Sequence, residues 1–114
     1  MKLLRAVNER ELGVILDLVH DRKYDIDRVS LDQIKRELRI PIYMGSRECE
    51  GTLLVRGASR FELQDEAQIG QGDINTIRRK GRRLEIRGAL PVNISIEVDR
   101  LDIELATPDD APSA

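Results

Sequence analysis

Apolar residues first fall into a regular pattern at Leu12, Ile15, Leu16 and Val19. That i, i+3, i+4, i+7 spacing places them on one face of an α-helix. Asn8 stands ahead of the run as an N-cap, and Glu11, three residues on, is placed to close a capping box. A helix is expected over roughly Glu9 to Val19. Val14 and Leu18 widen the stripe, which predicts a helix bedded deeply on a sheet. The pattern fails at His20-Asp21-Arg22-Lys23, where the helix should end.

Beyond that point the period changes to two. Val29 and Leu31 alternate, and Leu38, Ile40 and Ile42 alternate with Arg39, Pro41 and Tyr43. Alternation of this kind marks a half-buried antiparallel strand. Pro41 has no N–H to donate, so its strand is expected at an edge or with a bulge. Leu53 and Val55 share a face, and Phe61 and Leu63 return after Gly57-Ala58. Ser46 to Glu50 reads as a polar connection and Asp65 to Gly72 as a loop. Thr76 to Arg79 and Arg82 to Arg87 flank Lys80-Gly81, a plausible two-residue hairpin turn. Val92, Ile94, Ile96 and Val98 alternate cleanly, and Leu101, Ile103 and Leu105 do so in the opposite parity. A bulge or a turn near Asp99-Arg100 reconciles the two.

One segment occurs twice. Asp25-Ile26-Asp27-Arg28-Val29 returns as Asp73-Ile74-Asn75-Thr76-Ile77, and Leu38-Arg39-Ile40 returns as Leu84-Glu85-Ile86. The offsets differ by two residues, which places the difference in a connecting turn. Each copy reads as a short strand, a tight polar turn and a second strand, with Val29 equivalent to Ile77 and Ile40 to Ile86. The expected fold is α+β: one N-terminal helix packed on a curled, mainly antiparallel sheet or partly open barrel with two similar hairpins. Seven or eight strands should follow the helix. Residues 1–105 are expected to form a single domain, and residues 106–114 a mobile tail rich in Ala, Pro, Asp and Ser.

Composition narrows the core and the partners. A chain of 114 residues buries roughly 65% of the surface its unfolded form exposes, enough for a real core. Aromatic residues are only 3% of the chain, so that core must be aliphatic. So few rings also weigh against stacking on single-stranded nucleic acid. Charged residues make up 35%, and the net charge is −2, which does not describe a polyanion binder or a membrane-surface protein. Cys49 is the single cysteine, so no internal disulfide is possible, and a reducing, cytoplasmic setting is expected. No run approaches the ~20 apolar residues of a membrane span.

Candidate chemistry is sparse. His20 is the lone histidine, with Asp17 at i, i+3 on the helix, which suits a general base with a carboxylate partner or a metal ligand. Its ordinary role is to favour the negative end of a helix dipole. Cys49 lies between Glu48 and Glu50, whose charges discourage the thiolate. Ser46, Ser59 and Ser95 have no nucleophile context. Asp65, Glu66, Asp73 and Asn75 bracket two glycines, but their spacing does not match a calcium loop. No cofactor and no metal site are expected, and no catalytic residue is assigned.

The sharpest local feature is Arg78-Arg79-Lys80-Gly81-Arg82-Arg83. With Lys80-Gly81 as the turn, Arg79 faces Arg82 and Arg78 faces Arg83, a destabilising juxtaposition of like charge. Arg78, Arg79, Lys80, Arg82 and Arg83 are therefore the candidate partner-binding residues. The leading expectation is a non-enzymatic protein-interaction or assembly module, with self-association seeded by outward-facing Tyr43 and Leu54. The alternative is a nucleic-acid binder that uses the basic hairpin, and a third is a small-ligand site near His20.

Overall fold

The computed structural model describes residues 2–44 and 50–108. Strand β1 (Lys2–Ala6) precedes helix α1 (Glu9–Val19). Then come β2 (Lys23–Asp25), a 3-10 turn (Ile26–Arg28), β3 (Ser30–Asp32), β4 (Glu37–Tyr43), β5 (Glu50–Arg56) and β6 (Ala58–Gln64). The last elements are β7 (Gln71–Asp73), β8 (Thr76–Lys80), β9 (Arg83–Arg87), β10 (Asn93–Val98) and β11 (Ile103–Thr107). The first sheet has the order β1-β11-β5-β4-β2-β7, with β3 also paired to β4, and the second has the order β6-β10-β9-β8. The pairings are antiparallel, and the class is α+β. The strands divide between two sheets that are not closed into a barrel.

The alternating residues of both sheets meet in one core. Leu38, Ile40, Leu53 and Val55 come from the first sheet, Leu84, Ile86, Ile94 and Ile96 from the second, and all are buried. Each contributes on the order of 1.5–3 kcal/mol by leaving water. Tyr24 is the one aromatic residue that is fully buried. Phe61 and Leu63 are half-buried and pack against the same cluster.

The helix has its expected bounds. The Glu11 amide donates to Asn8 Oδ1 at 2.9 Å. Glu11 Oε1 accepts from the Val7 amide at 3.1 Å, one residue before the cap. Its depth of burial is less than expected. Leu12, Ile15 and Val19 are buried, but Val14 is 54% exposed and Leu18 39%. The reason is where the helix lies. It packs against β1 and β8, each an edge strand of its sheet, and so spans the opening between the sheets without bedding on a sheet face.

Three other expectations change. Pro41 is not on an edge strand, because β4 pairs with β5 on one side and with β3 and β2 on the other. It sits between the residues that pair with β3, Glu37 to Arg39, and Tyr43, which pairs with Lys23. Its missing N–H thus falls where β4 changes partner. The parity break after Val98 is a passage between sheets: β10 belongs to the second sheet and β11 to the first. The core lies on the other side of the chain there, so the buried parity reverses. The described residues hold eleven strands, more than expected. Three of them, β2, β3 and β7, are three residues long, too short for alternation to register. β1 carries no alternating pattern because only Ala6 is buried.

The sequence repeat becomes an internal two-fold relation. Leu38 pairs with Val55 and Ile40 with Leu53; in the second half Leu84 pairs with Ile96 and Ile86 with Ile94. Each half then sends its last strand into the other's sheet. Val55 and Leu53 pair with Ile103 and Leu105, while Ile96 and Ile94 pair with Phe61 and Leu63. The leading strands pair with each other: Lys23 with Asp73, Tyr24 with Gly72, Asp25 with Gln71. Exchanging the halves maps this ladder onto itself, so the pseudo-axis passes at Tyr24 and Gly72. The Tyr24 ring lies over Gly72, where a Cβ would come within 2.4 Å of it. The likeness is interrupted after the leading strands, where Ile26–Arg28 forms a 3-10 turn while the matching Ile74 and Asn75 lie between β7 and β8.

Candidate functional site

The basic ribbon is the β8–β9 hairpin, and its register differs from the expected one. Lys80 pairs with Arg83, Arg79 with Leu84 and Arg78 with Glu85. The turn is therefore Gly81-Arg82, one residue later than Lys80-Gly81. Gly81 has φ +60°, which suits the first central position of a type II′ turn. This shift replaces most of the expected repulsion. Arg78 faces a carboxylate, and only Lys80 and Arg83 oppose each other as like charges. Buried Leu84 and Ile86 decide the register, because a slip by one residue turns them to water. Arg82 is drawn off the ribbon by Asp99 at 2.9 Å, and Arg79 Nε donates to the Gly81 carbonyl at 3.0 Å.

The outer face of the second sheet carries rows of mixed charge. Arg60, Glu97, Arg83 and Lys80 lie side by side across the four strands. The next row is Glu62, Ser95, Glu85 and Arg78. Arg60 reaches Glu97 at 2.6 Å, and a shallow hollow of about 470 Å³ opens over these rows. The cations do not run as an unbroken stripe, which is what a phosphate backbone needs.

On the other side of β8 lies a second concavity, an open groove of about 370 Å³ between the strand and α1. Leu12, Gly13, Leu16 and Ile77 supply its apolar surface. Arg78, Arg79 and Lys80 line it with positive charge, and Glu9 is the acid present. Helical spacing identified Leu12 and Leu16 as core residues, and the repeat matched Ile77 to Val29. That they also face a groove depends on α1 lying along the edge of β8, which no local pattern encodes.

The remaining candidates are dispersed. His20 is exposed at the end of α1, and its Nδ1 lies 3.2 Å from Asp21, not Asp17. It does not line either concavity described above. Cys49 and Ser46 lie outside the described residues. Ser59 Oγ donates to the Glu97 carbonyl, and Ser95 lies on the mixed-charge face. Asp65 spends its oxygens on the amides of Ile69 and Gly70, both at 2.8 Å. Asp73 does the same with Ala89 and Leu90, both at 3.0 Å. Among the described residues no group of three or more histidine, cysteine or carboxylate side chains is placed to hold a metal.

Tyr43 and Leu54 are half-buried, next in their strands to buried Ile42 and Leu53. Tyr43 joins a polar network. Its hydroxyl donates to Asp25, which also accepts from Gln71 Nε2 at 3.4 Å. Arg28 makes a bidentate pair with Glu50, both bonds at 2.8 Å. Glu50 and then Tyr43 hold the Arg28 guanidinium above its ordinary value. Sequence reasoning missed this cluster because its members come from four separate segments. Exposed apolar residues occur elsewhere, at Leu3 and Leu4 on β1, at Val7 between β1 and α1, and at Val14 and Leu18 on α1.

No helix among the described residues is long and apolar enough to cross a membrane. No family model, curated protein or solved structure matches this chain.

Proposed function

We propose that this protein is a non-enzymatic interaction module that uses the β8–β9 ribbon to engage an acidic protein partner. The observation that carries this reading is the surplus of unpaired positive charge at one sheet edge. Arg78, Lys80 and Arg83 are exposed and have no ion-pair partner among the described residues, and Arg78 and Lys80 also line a groove with an apolar floor. Positive charge next to apolar surface favours an acidic protein segment over a bare phosphate chain. The interrupted charge rows of the outer face also weigh against nucleic acid. Catalysis has less support, since His20 stands alone at the helix end and Asp65 and Asp73 are occupied by backbone amides.

The test is a titration at near-physiological salt of a labelled glutamate-rich peptide, duplex DNA, and single-stranded RNA. The parent is compared with a variant carrying Ser at positions 78, 79, 80, 82 and 83. The variant should fold, with stability within about 0.5 kcal/mol of the parent, because these side chains are exposed. The peptide should bind the parent and not the variant. Sub-micromolar RNA or DNA binding that the variant loses would replace this reading with the nucleic-acid one.

A further inference from the structure

We infer that β8 is a docking edge for an extended acidic segment of a partner protein, which adds as a new strand and seats an apolar side chain in the α1 groove. This rests on reading the ribbon as the partner-binding element, and it specifies the mode of binding.

The backbone supplies the first argument. β8 ends its sheet and pairs with β9 alone. Lys80 and Arg83 close a two-residue turn, so they form a hydrogen-bonded pair, and the pairs alternate from there. Thr76, Arg78 and Lys80 therefore bond to β9, while the N–H and C=O of Ile77 and Arg79 point away from it. No other backbone group takes them up among the described residues. An edge with outward donors and acceptors is a template for an added strand.

The groove supplies the second. It runs beside that edge, so every other side chain of an added strand would project into it. Gly13 sits inside α1 on its wall, where glycine is worse for a helix than alanine. A Cβ at Gly13 would meet nothing within 4 Å. Packing within the fold gives no reason for this glycine, but it keeps the groove open.

Charge names the occupant. Side chains on the strand's other face would lie against Arg78 and Lys80. A second copy of this edge would bring like charges together, which is how cationic edges resist self-pairing. An acidic segment meets the same charges as attraction. The fitting sequence alternates acidic and apolar residues.

The probe is a short fluorescein-labelled peptide alternating glutamate and valine, with a lysine–valine peptide as control. Two further versions are N-methylated, one on the glutamate amides and the other on the valine amides. In an added strand only one of these sets faces β8. The parent should bind the glutamate peptide and not the lysine peptide. One methylated version should lose about tenfold or more in affinity and the other should not. Gly13→Gln, checked for folding by its thermal transition, should lose about tenfold by filling the groove. The amides of Ile77 and Arg79 should gain protection from hydrogen exchange in the complex. Binding lost in the Arg78→Ser, Lys80→Ser double variant, yet indifferent to Gly13→Gln and to both methylations, would reject strand addition and leave the acidic-partner reading standing. No binding at ~1 mM peptide would reject both.

Discussion

The two halves of this protein share a frame and differ at their hairpin edges. Positions that build the core remain apolar in both: Val29 and Ile77, Leu38 and Leu84, Ile40 and Ile86, Leu53 and Ile94, Val55 and Ile96. The hairpin positions do not keep their chemistry. By ladder register, Ser30, Leu31, Asp32 and Glu37 of β3–β4 correspond to Arg78, Arg79, Lys80 and Arg83 of β8–β9. At one of these positions Leu31 packs against the core. Its counterpart Arg79 lines the groove beside α1. The loops differ too, with four residues between Asp32 and Glu37 and two between Lys80 and Arg83. A two-fold frame thus tolerates any exposed chemistry that leaves its inward residues in register. New function is easiest to place where the frame's symmetry is broken, and that is where α1 meets β8.

The largest effects should come from the shared core. Leu38→Ala and Leu84→Ala each remove a fully buried side chain and should each cost about 2–5 kcal/mol. The two losses should agree within ~1 kcal/mol if the positions are equivalent. Denaturant unfolding measures both, and a loss at one site under half that at the other would break the equivalence.

Asp25 and Asp73 occupy matching places but should respond unequally. Asp73 is buried and accepts from the Ala89 and Leu90 amides. Asp73→Ala leaves those donors without their partner and should cost about 1–3 kcal/mol. Asp25 is only half-buried, and water can replace it beside Tyr43 and Gln71. Asp25→Ala should cost about 1 kcal/mol or less. Equal losses would show that the half-buried network is as strongly engaged as the buried one.

A small effect of opposite sign is expected at the axis. The Tyr24 hydroxyl is buried without a hydrogen-bond partner among the described residues. Tyr24→Phe removes a desolvated polar group and should raise stability by about 1 kcal/mol. Burial, and then the charges of Asp73 and Asp65, push the phenol above its ordinary value of 10.0. The folded pKa is raised, so the associated stability is complete below about pH 10 and declines as pH rises from there toward the folded value. The parent should lose stability above about pH 10 relative to the Phe variant. Parallel stability curves up to pH 11 would show that the phenol ionises as freely folded as unfolded.

The helix and its cap, the long strands and the repeat were legible in the chain because each rests on local spacing. Asn8 and Glu11 lie one turn apart. The alternation from Val92 to Val98 needs no knowledge of what lies opposite. The two-residue difference in repeat offset equals the difference in hairpin loop length. Turn position was less legible, since glycine suits either placement near Lys80 and the burial of Leu84 and Ile86 decided between them. β1 left no pattern because its side chains, apart from Ala6, face water. It is held by the ladder to β11 and by Arg5, which clamps buried Asp102 with two bonds of 2.9 Å.

The amino-acid sequence by itself determined which residues face inward and that the chain contains two related halves. Side-chain periodicity follows from backbone geometry, which is local. Only the tertiary structure decided that the last strand of each half crosses into the other's sheet, and that α1 spans two edges and leaves a groove along β8. Those outcomes depend on which apolar faces meet across long stretches of chain. Any inward-facing aliphatic residue suits such a meeting equally well, so the sequence carries no label for the partner it will find.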